Sequence, residues 1–182
     1  MSKLDPENKQ VVYDGPRFAV RRAEFRGGER TREWVDTPDA VAIVAYDDEQ
    51  LYLIRQAREA IGRDDTLEVP AGLMDVEGES PIETAKRELR EEIGMEAADW
   101  LHATTYFSSS GYTNEQVHVF LATGLTKVAE PDADGEEGLD LVTWPLADLD
   151  GLIEANVDSK SLIGLLWLQR ARAAGGAAGQ GA

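Results

Sequence analysis

The distribution of apolar residues predicts a series of short strands separated by polar turns. Residues 40–46, AVAIVAY, form an uninterrupted apolar run, which is typical of a strand that is buried on both faces. A polar turn follows at residues 47–50, and the apolar run 51–54 then pairs back as the next strand. Strand character resumes further along the chain at residues 100–107, 117–122 and 139–144.

One helix is predicted with both of its ends marked. Ser80 is a natural N-cap, Pro81 occupies the first helical position and Glu83 completes a capping box. Gly94 is placed to end the helix in a left-handed conformation. Apolar residues at helical spacing give this helix one stripe for the core: Ile82, Ala85, Leu89 and Ile93.

A final helix is predicted after Asp158 or Ser159, with an apolar side at residues 162–167. It precedes a low-complexity stretch, residues 173–182, that we predict to be a flexible tail. A chain of 182 residues is the size of one domain with a small appendage. Partly antiparallel strands flanking two helices indicate an α/β or α+β sandwich.

The N-terminal part of the chain predicts a small antiparallel unit ahead of the main domain. Residues 11–13 read as a short strand, RGGE at 26–29 is a hairpin signal, and 31–35 reads as the return strand. This unit carries aromatic residues that need a surface to pack against: Phe18, Phe25 and Trp34. Either a dimer partner or the chain's own main domain would supply that surface.

Composition narrows the classes of partner. The net charge of −17, from 35 acidic and 18 basic residues, repels nucleic acids and anionic membranes, so we expect neither as a partner. The absence of cysteine excludes disulfides and thiol nucleophiles. The first ten residues, MSKLDPENKQ, lack the apolar core of a signal peptide, and no apolar run is long enough to span a membrane. We therefore expect a soluble cytoplasmic protein.

Three carboxylates project from one patch of the first helix. Glu88, Glu91 and Glu92 stand at i, i+3 and i+4, so their side chains are neighbours. Crowded carboxylates repel one another, and a hard divalent cation such as Mg²⁺ relieves that repulsion because it prefers carboxylate oxygen. Taken alone, the helix is equally compatible with a solvated acidic face in an acidic protein.

The longer string around this patch resembles the Nudix box, which reads G-x5-E-x7-R-E-U-x-E-E-x-G-U, where U is a bulky apolar residue. The match consists of Gly72, Glu79 and the run RELREEIGM at residues 87–95. Six residues separate Gly72 from Glu79 where the pattern has five, and Gly78 lies in that turn and can absorb the extra residue. The resemblance implies the Nudix α/β/α sandwich around a mixed sheet, here with a small N-terminal antiparallel β unit.

By this resemblance Glu88 and Glu92 would be the main metal ligands, with Glu91 as a further ligand. The backbone carbonyl of Ala71 would complete the site, and the metal would be Mg²⁺, with Mn²⁺ as a possible substitute. The implied reaction is hydrolysis of a diphosphate, in which metal ions neutralise charge and polarise phosphorus. Arg87 would hold box carboxylates in place or contact the substrate.

Beyond the box, the chain resembles the ADP-ribose pyrophosphatase branch of the family over nearly its whole length. The similar segments, in order, are residues 13–20 with the following hairpin, 31–33, 54–58, 67–72 and 110–115. The branch implies hydrolysis of ADP-ribose to AMP and ribose 5-phosphate by a homodimer. Residues 1–38 would then form a unit for dimerisation and the adenosine pocket, and residues 39–172 the hydrolase domain.

Residue by residue, the branch implies that Arg58 contacts the diphosphate and that Arg32 lies near the adenosine end. For both arginines the alternative is an ordinary surface salt bridge in an acidic chain. Glu68 would bind substrate or brace its loop.

The branch takes its catalytic base from an acidic loop after the box. Here that loop offers the adjacent residues Glu136 and Glu137, and box Glu91 is a third candidate. The alternatives to ADP-ribose hydrolysis are cleavage of another nucleoside diphosphate sugar, such as GDP-mannose or ADP-glucose, and a non-catalytic module that binds ADP-ribose. The complete carboxylate set argues against such a module.

Overall fold

The structure is a computed structural model that describes residues 4–130 and 139–178, with side chains described as far as residue 174. It contains two sheets and three helices within those residues. The strands are β1 (Glu7–Asp14), β2 (Ala19–Phe25), β3 (Arg30–Asp36), β4 (Ala40–Tyr46), β5 (Gln50–Arg58), β6 (Arg63–Glu68), β7 (Ala71–Leu73), β8 (Met95–Phe107), β9 (Gln116–Lys127) and β10 (Asp140–Pro145). The helices are α1 (Pro81–Ile93), α2 (Leu149–Ala155) and α3 (Ser159–Ala178).

The main sheet has seven strands, in the order β10-β5-β4-β9-β8, with β6 added beside β5 and β7 beside β4. It is a mixed sheet, because β4 and β9 run parallel while the other pairs are antiparallel. Helix α1 covers one face, and α2 and α3 cover the other. This is the sandwich around a mixed sheet that the sequence predicts.

Strand β4 is apolar along its whole length because its side chains pack on both faces of the sheet. Its Val41, Ile43 and Ala45 pack in the cluster under α1, whereas Ala42 and Val44 pack in the cluster under α3. Every one of these side chains is buried because both faces of the sheet are covered. Helix α3 approaches so closely at Gly164 that a Cβ there would lie 2.6 Å from a methyl carbon of Val44.

The small N-terminal sheet is antiparallel, in the order β1-β2-β3, and confirms the predicted unit. Its first strand begins at Glu7, earlier than the predicted residue 11. Phe25 and Trp34 lie edge to face with ring centroids 6.4 Å apart, so they pack against each other within this sheet. Phe18 is exposed, as are three consecutive residues of β1: Val11, Val12 and Tyr13.

The N-terminal sheet is tied to the main sheet through the loop at residues 108–115. The backbone N–H of Val35 donates to the carbonyl of Tyr112 at 2.7 Å, and Asn114 Nδ2 donates to Asp36 Oδ1 at 2.8 Å. Gln116 N donates to Asp39 Oδ1 at 2.9 Å, at the start of β9. The loop therefore joins the end of β3 to the main sheet.

Helix α3 continues to Ala178 and so enters the stretch 173–182 that was predicted as a flexible tail. Alanine, the best helix former, makes up most of residues 173–178, which accounts for the continuation. Across the two described ranges, 4–130 and 139–178, none of the helices is long and apolar enough to cross a membrane.

Candidate active site

Helix α1 has the ends that the sequence predicts. Ser80 donates from both its backbone N–H and its hydroxyl to Glu83 Oε2, at 2.8 and 2.6 Å, and Pro81 opens the helix. Gly94 closes it with a φ of 69°. The helix thus begins and ends at fixed points, which sets the direction in which its carboxylates project.

The backbone at the start of β7 lies directly against those carboxylates. Ala71 N donates to Glu92 Oε2 at 2.9 Å. A Cβ on Gly72 would lie 2.0 Å from the carboxyl carbon of Glu88, so only glycine allows this approach. Ala71, Glu88 and Glu92 are therefore brought together as predicted.

Arg87 forms a brace among the acidic side chains of the box. Its Nη1 donates to Glu88 Oε1 at 2.6 Å and to Glu91 Oε2 at 3.1 Å, and its Nε lies 3.3 Å from Glu79. This geometry favours the first of the two roles considered for Arg87. Glu91 is exposed and pairs with Arg87, so it stands apart from Glu88, which is buried, and from Glu92, which is partly buried.

At the two inner carboxyls, Glu88 and Glu92, the effect of burial outweighs that of the nearby positive charges. Burial raises the pKa of Glu92 to about 8, and the neighbouring charge of Glu88 adds to the effect of burial. Burial likewise raises the pKa of Glu88, although Arg87 opposes that shift. Partly dehydrated carboxyl oxygens with raised pKa values fit a hard divalent cation, which would supply the missing charge.

The carboxylates do not form a closed cage in this conformation. Among the residues that the structure describes, no three acidic, histidine or cysteine side chains are grouped closely enough to hold a metal ion. Glu88, Glu92 and the backbone at Ala71 are thus the donors that would hold a metal, and Glu91 would join them only after leaving Arg87.

A cavity of about 690 Å³ opens in front of this group, a volume suited to a small organic ligand. Box residues line it together with Arg58 and Gln56 of β5. Several lining residues were not predicted as site residues: Arg17, Tyr106, Glu115, Asp158, Ser159 and Lys160. Glu115 at least lies in the segment 110–115 that resembles the ADP-ribose branch, whereas no sequence signal marks Lys160 or Tyr106.

The residues predicted to bind substrate do not all line the cavity. Arg58 lines the cavity and donates to Glu68 through Nε and Nη2, both at 2.7 Å. Glu68 is 1% exposed and lies behind the cavity wall. Arg32 is exposed on β3 and does not line the cavity within a single chain. Glu136 and Glu137 lie outside the described residues.

The fold and the box geometry define the class of protein. The NUDIX domain pattern matches residues 36–166, which is most of the chain, and the chain belongs to the Nudix hydrolase family. An ADP-ribose pyrophosphatase of Mycobacterium tuberculosis is 42% identical over 146 residues, covering 78% of this chain and 70% of the relative. An ADP-ribose pyrophosphatase of Bacillus subtilis is 35% identical over 168 residues, covering 88% and 90%.

A solved structure described as an ADP compounds hydrolase superposes on the whole chain. The TM-score is 0.77 at 28% identity, with 100% of this chain and 98% of that chain covered. Nudix hydrolases as a family need a divalent metal, and the donor set around Glu88 and Glu92 fits that requirement.

The raised pKa of Glu92 predicts a pH dependence of stability in the metal-free protein. The folded state keeps a proton that the unfolded state releases between the ordinary pKa of 4.5 and about 8. The free energy of unfolding should therefore fall as pH rises through this window. Urea denaturation in the presence of a chelator should show a steeper fall for wild type than for Glu92→Gln; equal slopes would contradict the assignment.

The close approach at Gly72 predicts a loss of metal affinity in Gly72→Ala. The added methyl group would displace the Glu88 carboxylate, and disturbing even the residues that orient a metal ligand typically costs about 10- to 100-fold in metal affinity. Calorimetric titration with Mn²⁺ measures this directly. Gly111→Ala is the matched control, because a Cβ there meets nothing within 4 Å. Unchanged Mn²⁺ affinity in folded Gly72→Ala would refute this account.

Proposed function

We propose that the chain hydrolyses the diphosphate bond of ADP-ribose, with Mg²⁺ as its metal, and releases AMP and ribose 5-phosphate. The observation that carries the proposal is the shared cavity: the box carboxylates and Arg58 line the same volume, which is suited to a nucleotide sugar. Support also comes from the ADP-ribose pyrophosphatases to which the chain is similar.

The chain's residues would divide the work of the reaction. Glu88, Glu92 and the carbonyl of Ala71 would hold the metal, and Arg58 would orient the diphosphate as a planar donor fork. When bound, the metal supplies charge neutralisation and Lewis acidity toward phosphorus. Water would add its oxygen to one phosphorus, the bond to the bridging oxygen would break, and the water proton would pass to a base.

The candidate bases are Glu136, Glu137 and Glu91. Glu91 lines the cavity and is held by Arg87 at 3.1 Å, so it would have to exchange this contact to act on water. The two loop glutamates remain candidates by resemblance to the branch. Single Glu→Gln changes at the three positions, compared in the pH profile of kcat, would separate them.

A substrate panel tests the proposed function. ADP-ribose, ADP-glucose, GDP-mannose and NADH would each be incubated with Mg²⁺ or Mn²⁺ and the products separated by chromatography. We expect AMP and ribose 5-phosphate from ADP-ribose at the highest kcat/KM. If another sugar nucleotide is hydrolysed with a higher kcat/KM, that compound, and not ADP-ribose, is the substrate. Tight binding of ADP-ribose without turnover of any compound would instead identify a binding module.

Glu92→Gln should lower kcat by at least about 100-fold, because changing a ligand should cost no less than the roughly 10- to 100-fold typical of changing a residue that only orients one. The variant keeps the size and the hydrogen-bonding oxygen of the side chain, so the fold should be retained by circular dichroism. Glu96→Gln is the matched control, because Glu96 is exposed, pairs with Arg90 and does not line the cavity. Near-normal turnover by Glu92→Gln would rule out Glu92 as a ligand.

We also propose that the chain is a homodimer built on residues 1–38, with residues 39–172 as the hydrolase domain. In a single chain β1 is a sheet edge, and an exposed apolar edge strand favours pairing with another chain. Such pairing would cover Val11, Val12 and Tyr13. It would also bring Arg32 of one protomer toward the adenosine end of a site.

Val12→Lys should therefore shift the protein from dimer to monomer in analytical ultracentrifugation. Val12 is 56% exposed in the single chain, so the change should not disturb the fold of the protomer. Leu166→Lys on α3 is the matched control, since Leu166 is 49% exposed on a different element. A monomeric wild type, or a Val12→Lys variant that stays dimeric, would exclude this interface.

A further inference from the structure

The start of α3 borders the cavity, and its Lys160 is one of the lining residues. Asp158, Ser159 and Lys160 all line the cavity. The Lys160 side chain is 15% exposed, contacts the Glu68 carboxylate and lies 3.1 Å from Asp158 Oδ2. Its positive charge also acts on Glu92, whose pKa it lowers against the larger effect of burial. The C-terminal helix thus contributes a largely buried cation beside the box carboxylates.

Glu68 links this lysine to Arg58. The carboxylate accepts from Arg58 Nε and Nη2, at 2.7 Å each, and contacts Lys160 through Oε2. Burial alone would raise the pKa of Glu68, but the hydrogen bonds and charges of Arg58 and Lys160 outweigh it and lower the pKa. A single buried anion is therefore shared between two cations that come from β5 and α3.

The position of Lys160 is fixed by the turn that carries it. Asp158 Oδ2 accepts from Ser161 N at 3.0 Å and from Ser161 Oγ at 2.6 Å. The same Ser161 hydroxyl, which is fully buried, accepts from Val69 N at 2.9 Å. Val69 directly follows Glu68. The hydrogen bond from Val69 to Ser161 therefore fixes the turn that carries Lys160 relative to the residue that Lys160 contacts.

Stability alone does not account for this arrangement. Burying a network of charges commonly stabilises a protein no better than apolar residues of similar volume would, because the ions must be dehydrated. Here the network stands between the wall of the cavity and the core, and one of its ends is Arg58. Bidentate contact with Glu68 sets the plane of the Arg58 guanidinium, and Lys160 contacts Glu68 Oε2, the same oxygen that accepts from Arg58 Nη2.

We propose that Lys160 is a positioning residue: by holding Glu68, it fixes the Arg58 guanidinium in the orientation that receives the diphosphate. This inference rests on the proposed function for the role of Arg58. Lys160 itself acts through carboxylates, since both of its ion pairs are with them. Loss of Lys160 removes the cation that shares Glu68 Oε2 with Arg58 and leaves only the longer contact from Gln56 beside it, so the Glu68–Arg58 pair shifts and substrate binding weakens while the metal ligands stay in place.

A double-mutant cycle between Lys160 and Arg58 tests the proposal. Lys160→Met should raise KM by about 10- to 100-fold, as for other groups that orient a binding residue, with a smaller change in kcat. In an Arg58→Met background the same change should have almost no further effect, because the residue that it positions is gone. Lys127→Met, at an exposed ion pair outside the cavity, controls for the lost charge.

If the KM increase of the double variant equals the product of the increases in the two single variants, the residues act independently and the proposal is overturned. Wild-type kinetics in folded Lys160→Met would overturn it too. If Lys160→Met does not fold, Lys160→Arg enters the same cycle, because it keeps the charge but replaces the compact ammonium with a planar fork. Normal KM in Lys160→Arg would then show that charge alone suffices and that precise positioning of Glu68 is not required.

A crystal structure of Lys160→Met provides a readout that does not depend on the substrate. We expect the Arg58 and Glu68 side chains in a changed arrangement; an unchanged pair would contradict the positioning role. Failure of the proposed function is distinguishable, since it appears as wild type that does not cleave ADP-ribose. The cycle would then be measured with the sugar nucleotide that wild type does cleave, and if it cleaves none, the crystal structure decides.

Discussion

The site depends on the contact between the start of β7 and the carboxylates of α1. Ala71 N holds Glu92 at 2.9 Å, and the missing side chain of Gly72 lets the Glu88 carboxylate approach the backbone. Both elements are fixed independently, β7 by pairing with β4 and α1 by its capping box and apolar stripe. The backbone and the carboxylates therefore meet between elements that other contacts hold in place, and such fixed geometry is what positions groups for catalysis.

The buried carboxyls around the cavity fall into two groups with opposite pKa shifts. Burial dominates at Glu88 and Glu92 and raises their pKa values, whereas Arg58 and Lys160 overcome burial at Glu68 and lower its pKa. The first pair is short of positive charge, and the third carboxylate already has its cations. This contrast distinguishes carboxyls suited to bind an added cation from one that serves to hold other side chains.

The features that the sequence predicts correctly are those marked by patterns of neighbouring residues, whereas contacts between distant residues are not predicted. The caps of α1 and the apolar run of β4 are local patterns, and the structure has both elements where the patterns place them. The contact of Lys160 with Glu68 spans 92 positions and arises only from the packing of α3 against the main sheet, so no local pattern marks it. The pairing of Glu91 with Arg87 is likewise a choice among neighbouring side chains that helical spacing leaves open.

The loop at residues 108–115 contacts both the N-terminal sheet and the cavity. Asn114 contacts Asp36 at the end of β3, and the next residue, Glu115, lines the cavity. Ser108, at the other end of the loop, lines it too and donates its N–H to the carbonyl of Glu115 at 3.1 Å. The end of β3 is therefore connected to two residues of the cavity wall by a short series of hydrogen bonds, so the position of the N-terminal sheet and the shape of this part of the cavity depend on each other.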